Sequence, residues 1–170
     1  MPEENTQIGF RINKIKDFAF FIDLDKFNPT PNKEVVVKFQ HFTNFSPSNN
    51  TIRLVMRTYF LYAEDKEESK IIDIHVENIF ELTDLKFFYK KEINQFILPK
   101  EIIIPMVSLS ISHSRALLAK NLAGTEYQPY LIPIIDPVII TKDLFPYMFE
   151  AVKKLDNFPK VRKQVKSKKV

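Results

Sequence analysis

The chain has 170 residues, 45% of them apolar, which is a globular composition with enough chain for one domain and a sizeable core. It holds two glycines and no cysteines, which excludes glycine-rich phosphate loops, disulfides, thiolate zinc sites and cysteine nucleophiles. The net charge of +4 comes from residues 160–170, which hold six Lys or Arg and no acid and leave −2 on the rest.

Four segments of alternating apolar residues predict four β-strands. They cover residues 8–22, 34–43, 51–62 and 70–82. The first strand changes phase after Ile12, which indicates a β-bulge. Short polar turns join the last three strands, so a largely antiparallel sheet with one covered face is expected.

The second half of the chain predicts helices around an extended connector. Residues 86–97 are predicted as a short helix, and residues 100–123 as a long helix ending at Gly124. A proline at every fourth position predicts an extended loop over 125–140, and Thr141 is expected to cap a last helix over 142–155. The predicted fold is therefore α+β: a four-stranded antiparallel sheet with a long helix and a shorter C-terminal helix packed on one face.

Small residues follow one side of the long helix at steps of three or four. They are Ser108, Ser112, Ala116, Ala119 and Ala123. Such a stripe permits a close approach, either of the sheet of the same chain or of a helix from a second subunit. The sequence leaves these two interpretations equal.

Residues with catalytic or metal-binding chemistry do not assemble into a recognisable site. The three histidines follow no metal-ligand spacing. Ser112, His113 and Ser114 lack an acid to orient the imidazole, and Asp23 and Asp25 lie in a polar loop. We therefore expect no enzyme activity, no metal and no cofactor.

Two proline-containing loops carry bulky apolar residues, although loops normally expose polar ones. The first loop has Phe21, Ile22, Leu24 and Phe27; the second has Tyr127, Tyr130, Leu131 and Ile132. Beside a sheet and an amphipathic helix, such loops would line a groove for extended polypeptides, which bind partly through main-chain hydrogen bonds.

The order of these elements, over roughly residues 8–155, resembles the SecB family of export chaperones. The local matches are Phe10-x-Ile12-x-x-Ile15, Ile79-Phe80, Ile103-Ile104-Pro105, Gly124-Thr125, and Ile135-Asp136-Pro137-Val138 followed by Leu144-Phe145. No single motif is specific to the family, and their order and spacing together are moderately specific.

The resemblance implies a cytoplasmic homotetramer, a dimer of dimers packed through its long helices. Its apolar grooves would hold non-native preproteins without ATP and pass them to the SecA motor. It assigns the client groove to the two apolar loops with Phe145, Met148 and Phe149, and the helix interface to Ser108, Ser112, Ala116 and Ala119. It assigns motor docking to Asp17, Ile71 and Asp73.

Two departures from the family pattern keep other functions open. Phe21 stands where the family has an acid, and the chain ends in a lysine-rich tail. A SecB-like chaperone dedicated to one client, such as an antitoxin, is one alternative. A nucleic-acid-binding sheet protein using the tail and aromatic stacking is another, although the sheet sequence shows no aromatic and basic motif.

The two ends of the chain are expected to lie outside the domain. We predict a disordered N-terminus over residues 1–7, a domain over 8–158, and a disordered basic tail over 159–170. The N-terminus has no apolar signal core, and no apolar run approaches the ~20 residues that cross a bilayer. Both features predict a cytoplasmic protein.

Overall fold

The computed structural model describes residues 9–24, 34–63 and 70–154, the last four of them by their backbone alone. The predictions for residues 1–7 and 159–170, and for Phe27 and Asp25, fall outside these ranges.

Four long strands form one antiparallel sheet, as predicted. They are β1 (Phe10–Ile22), β2 (Val35–Ser46), β3 (Thr51–Tyr62) and β4 (Lys70–Leu82). Their order across the sheet is β1-β4-β3-β2, so β1 and β2 are its two edges. The predicted α+β fold class is confirmed.

The alternation of the central strands divides the sheet into an inner and an outer face. Ile52, Leu54 and Met56 of β3 are fully buried on the inner face, under the long helix. Arg53 and Arg57 point to the outer face and pair with acids of β4. Burial of this apolar inner face is the main contribution to the stability of the fold, at about 25 cal/mol for each Å² of apolar surface removed from water.

Strand β1 contains two irregularities where the sequence indicated one slip. The pairing with β4 shifts between Ile12 and Lys14, and again between Asp17 and Ala19. The second shift separates Phe18 from the inward-facing Phe20. The ring of Phe18 lies on the outer face, beside Arg53.

The predicted helix over 86–97 is wrong. Residues Leu85–Phe88 form one 3-10 turn, and a hairpin of β5 (Tyr89–Lys90) and β6 (Gln95–Phe96) follows. Asn94 takes a positive φ of 52°, which ends helical geometry in the turn. Phe96 stacks on Phe45 of β2 at 4.6 Å between ring centroids, so the hairpin caps that end of the sheet.

The long helix α1 (Lys100–Leu122) is confirmed, and an apolar stripe along it that includes Ile103, Val107 and Leu118 is buried against the sheet. Gly124 follows it with φ 76°, the left-handed conformation expected of a helix-ending glycine. Pro105 is its sixth residue, inside the helix and not in its first turn, so one helical hydrogen bond is missing.

By length and composition α1 is apolar enough to cross a membrane, with a mean hydropathy of 1.5. The expectation that no apolar segment approaches the length needed to cross a bilayer is therefore not met by α1, which has 23 residues. Its buried side packs on β3 and β4, as the core helix of a domain does.

The last part of the chain departs from its predicted boundaries. Helix α2 (Pro137–Leu144) begins within the predicted loop, and α3 (Pro146–Lys154) follows after a break at Phe145. Pro137 is tolerated because the first helical residue needs no N–H partner. Asp136 is the N-cap, accepting a hydrogen bond from the Val138 N–H at 2.8 Å. Thr141, the predicted cap, is buried inside α2 and donates to the Pro137 carbonyl at 2.5 Å.

Candidate functional site

Four of the predicted client-contact residues are core residues. Tyr127, Ile132, Phe145 and Met148 are each at most 3% exposed and belong to the main core cluster. Their assignment to the client groove, made from the sequence, is therefore wrong for this chain. The physical reason is that the connector and the last helices form the second half of the cover over the inner sheet face, so their bulkiest side chains fill the core.

The other predicted client residues do not form one surface. Phe21 lies on the outer face of the sheet, while Tyr130 packs edge-on against Phe60 of the inner face, with 6.2 Å between centroids. Phe21, Leu24 and Leu131 are more than half exposed. Ile22, Tyr130 and Phe149 are half-buried.

A cleft that the sequence did not indicate lies at the β2 edge of the sheet, against α2. It has a volume of about 350 Å³. Its wall on the strand side is formed by Val37, Lys38, Phe39, Gln40 and Tyr59, and its wall on the helix side by Ile140, Asp143 and Leu144. We call it the β2–α2 cleft. Among the described strands, β2 pairs with β3 alone, so its outer edge faces this cleft.

The apolar side chains of the cleft are half-buried, so part of each is available for contact. Val37 and Phe39 come from β2, and Ile140 and Leu144 from α2. The alternation within residues 34–43 predicted that the first pair shares one face of its strand. Ile140 could not be found from the sequence, because the prolines around Asp136 favoured a loop where α2 begins, whereas Leu144 lies in the helix predicted over 142–155.

His41 fixes the distance between β2 and α2. Its Nε2 lies 2.8 Å from the Leu144 carbonyl oxygen, which only accepts, so Nε2 carries the proton. Its Nδ1 lies 3.0 Å from the Thr43 hydroxyl, and its ring lies 4.0 Å from that of Phe145. Burial lowers the pKa of His41, and the hydrogen bond to Leu144 opposes that shift. The neutral ring is therefore favoured in the fold.

Arg115 of α1 holds the connector between α1 and α2. Its Nε donates to the Ile132 carbonyl at 3.0 Å, and a terminal nitrogen donates to the Pro133 carbonyl at 2.7 Å. This anchoring turns Ile132 into the core and leaves Ile134 96% exposed. The connector and α2 thus present Leu131, Ile134 and Ile139 on the surface.

The residues assigned to motor docking are engaged within the chain. Ile71 is fully buried in the main core, because the pairing of β4 with β3 is irregular there. Asp17 accepts a hydrogen bond from Asn121 of α1 at 2.7 Å. Asp73 is bound by Arg57 and lies 3.1 Å from His75.

The small-residue stripe of α1 faces away from the sheet. Ser112, Ala116 and Ala119 are exposed and Ser108 is half-buried. Packing against the sheet of the same chain therefore does not account for the stripe, and the subunit-contact interpretation stays a prediction.

The Ser112, His113, Ser114 sequence makes structural hydrogen bonds only. Both hydroxyls donate to carbonyls four residues earlier, at 2.9 Å, and His113 Nδ1 lies 2.6 Å from the Asn78 amide oxygen. The residues described contain no cluster of three or more metal-ligating side chains.

Comparison with solved structures relates this arrangement to known proteins. The SecB-like chaperone Rv1957 of Mycobacterium tuberculosis, solved with a ChAD peptide from the Rv1956 HigA1 antitoxin, matches with a TM-score of 0.50. The match covers 75% of this chain and 90% of that one, at 9% identity. The fold is SecB-like. The order of sheet and helices inferred from the resemblance is thereby supported.

A protein of unknown function from Streptococcus agalactiae also matches, with a TM-score of 0.39 and 9% identity over 76% of this chain and 98% of that one. No family model and no curated protein matches the sequence.

Proposed function

We propose that this protein is an ATP-independent chaperone that binds extended apolar segments of non-native polypeptides in the β2–α2 cleft. The observation that carries the proposal is the edge of β2, which pairs with β3 alone among the described strands and lies beside half-buried apolar side chains. The SecB-like fold adds support, since the Mycobacterium tuberculosis protein of that fold was solved with an antitoxin peptide.

Both the strand side and the helix side of the β2–α2 cleft suit a client of variable sequence. An extended segment lying along β2 would add a strand through main-chain hydrogen bonds, which do not depend on its side chains. Because successive side chains of a strand alternate in direction, every second one would meet the apolar wall of Ile140 and Leu144. The preferred clients would therefore be extended segments with alternating apolar residues.

The polar rim of the cleft is held by the sheet itself. Gln40 donates to the Tyr59 hydroxyl at 3.4 Å and accepts from Arg57 at 3.1 Å. A rim whose hydrogen bonds are already made costs less conformational entropy when a client binds. This would favour rapid binding and release without an energy source.

Replacing Ile140 with Ser should weaken the binding of a labelled unfolded client about tenfold, because the loss of about 1–2 kcal/mol of apolar contact corresponds to such a factor. Fluorescence anisotropy with a reduced, permanently unfolded protein measures the dissociation constant. Ile93→Ser is the matched control, because Ile93 is 49% exposed in the β5–β6 turn, which does not line the cleft.

Equal affinities of the two variants would contradict the assignment of the cleft. Ile140 also packs partly against the core, so the melting temperature of each variant is measured first. A lower affinity in a variant that melts like the control identifies a lost contact and not a lost fold.

The wider role rests on the resemblance to SecB. We extend the proposal to a cytoplasmic homotetramer built through the Ser108, Ser112, Ala116 and Ala119 stripe. Delivery to SecA stays a prediction for which binding to purified SecA is the test. Service to a dedicated client fits better, because Ile71 is buried and both acids of the predicted docking patch are already hydrogen-bonded.

A further inference from the structure

The outer face of the sheet carries exposed aromatic rings. Phe18, Phe21 and Phe42 are 51%, 55% and 56% exposed. Phe21 pairs with Asp73, and Phe42 with Val55, both residues of the outer face. Helix α1 packs on the opposite face, where His113 contacts Asn78. The second bulge of β1 places Phe18 on this face, an aromatic and basic arrangement that the sequence did not reveal.

One arginine lies between two of these rings. The Arg53 guanidinium carbon is 5.3 Å from the centroid of Phe18 and 5.8 Å from that of Phe42. Its Nε also pairs with Glu77, which holds the guanidinium in place. Two aromatic rings from opposite edge strands are thus brought to either side of one fixed cation.

The charges of this face favour an anionic partner. Each of its three acids in β4 is already neutralised by an arginine, in the pairs Arg11–Glu81, Arg53–Glu77 and Arg57–Asp73. Lys14 and Lys16 of β1 lie beside them, opposite Ile79 and Glu77, and are exposed. Within the described residues neither lysine makes a salt bridge, so both ammonium groups are available to an anion.

We propose that this outer face binds single-stranded nucleic acid, independently of the client cleft. Bases would stack on Phe18 and Phe42, and Lys14 and Lys16 would contact the phosphates. Successive aromatic platforms on a basic surface are how proteins bind single strands without reading their sequence. An acidic polypeptide would satisfy the lysines but has no comparable use for two exposed aromatic rings.

The test measures the binding of fluorescein-labelled oligo(U) and oligo(dT), each about 12 nucleotides long, to the full chain over a series of salt concentrations. The double variant Phe18→Leu, Phe42→Leu should raise the dissociation constant at least about tenfold, since each stacked base contributes that order of affinity. Phe87→Leu is the matched control, because Phe87 is 63% exposed outside the main sheet.

The lysines have a separate readout. The variant Lys14→Gln, Lys16→Gln should reduce the slope of log affinity against log salt by about 1.4, the value for two phosphate contacts to a single strand. Replacing the six basic residues of 160–170 with glutamine in the full chain should lower affinity but preserve the effect of the phenylalanine substitutions.

The proposal would be overturned if the full chain bound no oligonucleotide, if the phenylalanine double variant bound equally well, or if binding depended on the basic tail alone. If the phenylalanine variant instead loses affinity only for an acidic unfolded polypeptide, the face is a protein surface and the proposal is equally wrong. Equal affinity for both oligonucleotides would mean that the outer face binds single strands of RNA and DNA alike. A preference for oligo(U) would mean that its ligand is RNA.

Discussion

Single side chains position the surface that we assign to clients, and Arg115 is the most consequential of them. It donates to two carbonyls of a connector that has no secondary structure of its own between Tyr130 and Asp136. Hydrogen bonds from charged donors stabilise a fold more than neutral ones do. Ile132 enters the core beside this anchor, so local structure and packing depend on the same side chain.

Arg115→Ala should lower the free energy of unfolding by about 1–3 kcal/mol, because both carbonyls lose their donor. Urea unfolding measures this change. The free energy of unfolding of Arg115→Lys should lie between those of the wild type and Arg115→Ala, since an ammonium cannot donate to both carbonyls in the geometry of the guanidinium. Unfolding of the alanine variant at the wild-type urea concentration would show that the connector is held by its apolar contacts alone.

The sequence predicted residue roles less well than it predicted elements. Phe145 and Met148 have the composition of a binding surface but fill the core. Apolar residues in a loop signal burial against something, and the sequence alone does not say whether that is a client or the same chain. Phe18 lies on the outer face because two bulges interrupt β1, whereas the sequence indicated one.

At the scale of elements, the contact between β2 and α2 depends on a neutral histidine. His41 bonds the last carbonyl of α2, just before the break at Phe145. Burial lowers its pKa from the ordinary 6.5. Burial also lowers the pKa of His113, which lies between α1 and β4. Both rings therefore bind protons less readily in the folded state than in the unfolded state.

The stability contribution of such a group is complete above the unfolded pKa of 6.5 and is lost as the pH falls below it towards the lowered folded value. The melting temperature should therefore fall between pH about 7.5 and about 5.5. His41→Gln retains an N–H donor and does not titrate, so the melting temperature of this variant should fall less over the same pH range. The double variant His41→Gln, His113→Gln should show a smaller fall still. An unchanged pH profile in the double variant would contradict this origin.

Element types followed from the sequence where periodicity was strong. The four strands and α1 were predicted because their apolar residues repeat at a regular spacing, which in β1 is interrupted by a change of phase. The failures lie where a single residue overrides the pattern: Asn94 turns the chain into a hairpin, and Pro146 separates two helices that read as one. The β2–α2 cleft was missed for a different reason, since it requires α2 to begin at Pro137, inside the predicted loop.

At the scale of the whole molecule, the exposed stripe of α1 is the surface that we propose for contact with a second copy of the chain. Ala119→Glu should dissociate the proposed tetramer, because a carboxylate buried between closely packed helices is strongly destabilising. Light scattering after size exclusion should give about 80 kDa for the wild type, four times the 20.1 kDa of one chain, and a smaller mass for the variant.

Lys120→Glu is the control for this experiment, because it introduces the same carboxylate about 100° around the helix. A wild-type mass of 20.1 kDa would remove the subunit interface from the account. It would leave the cleft of each chain unaffected.

The central claim is that the chain binds non-native polypeptides and keeps them from aggregating. The most direct measurement is light scattering by a chemically unfolded client diluted into buffer without ATP. We predict that the protein suppresses scattering at about one chain per client, in the ratio expected of one cleft per chain, and that Ile140→Ser suppresses it less than Ile93→Ser. Unchanged client aggregation in the presence of the folded wild-type protein would contradict the account.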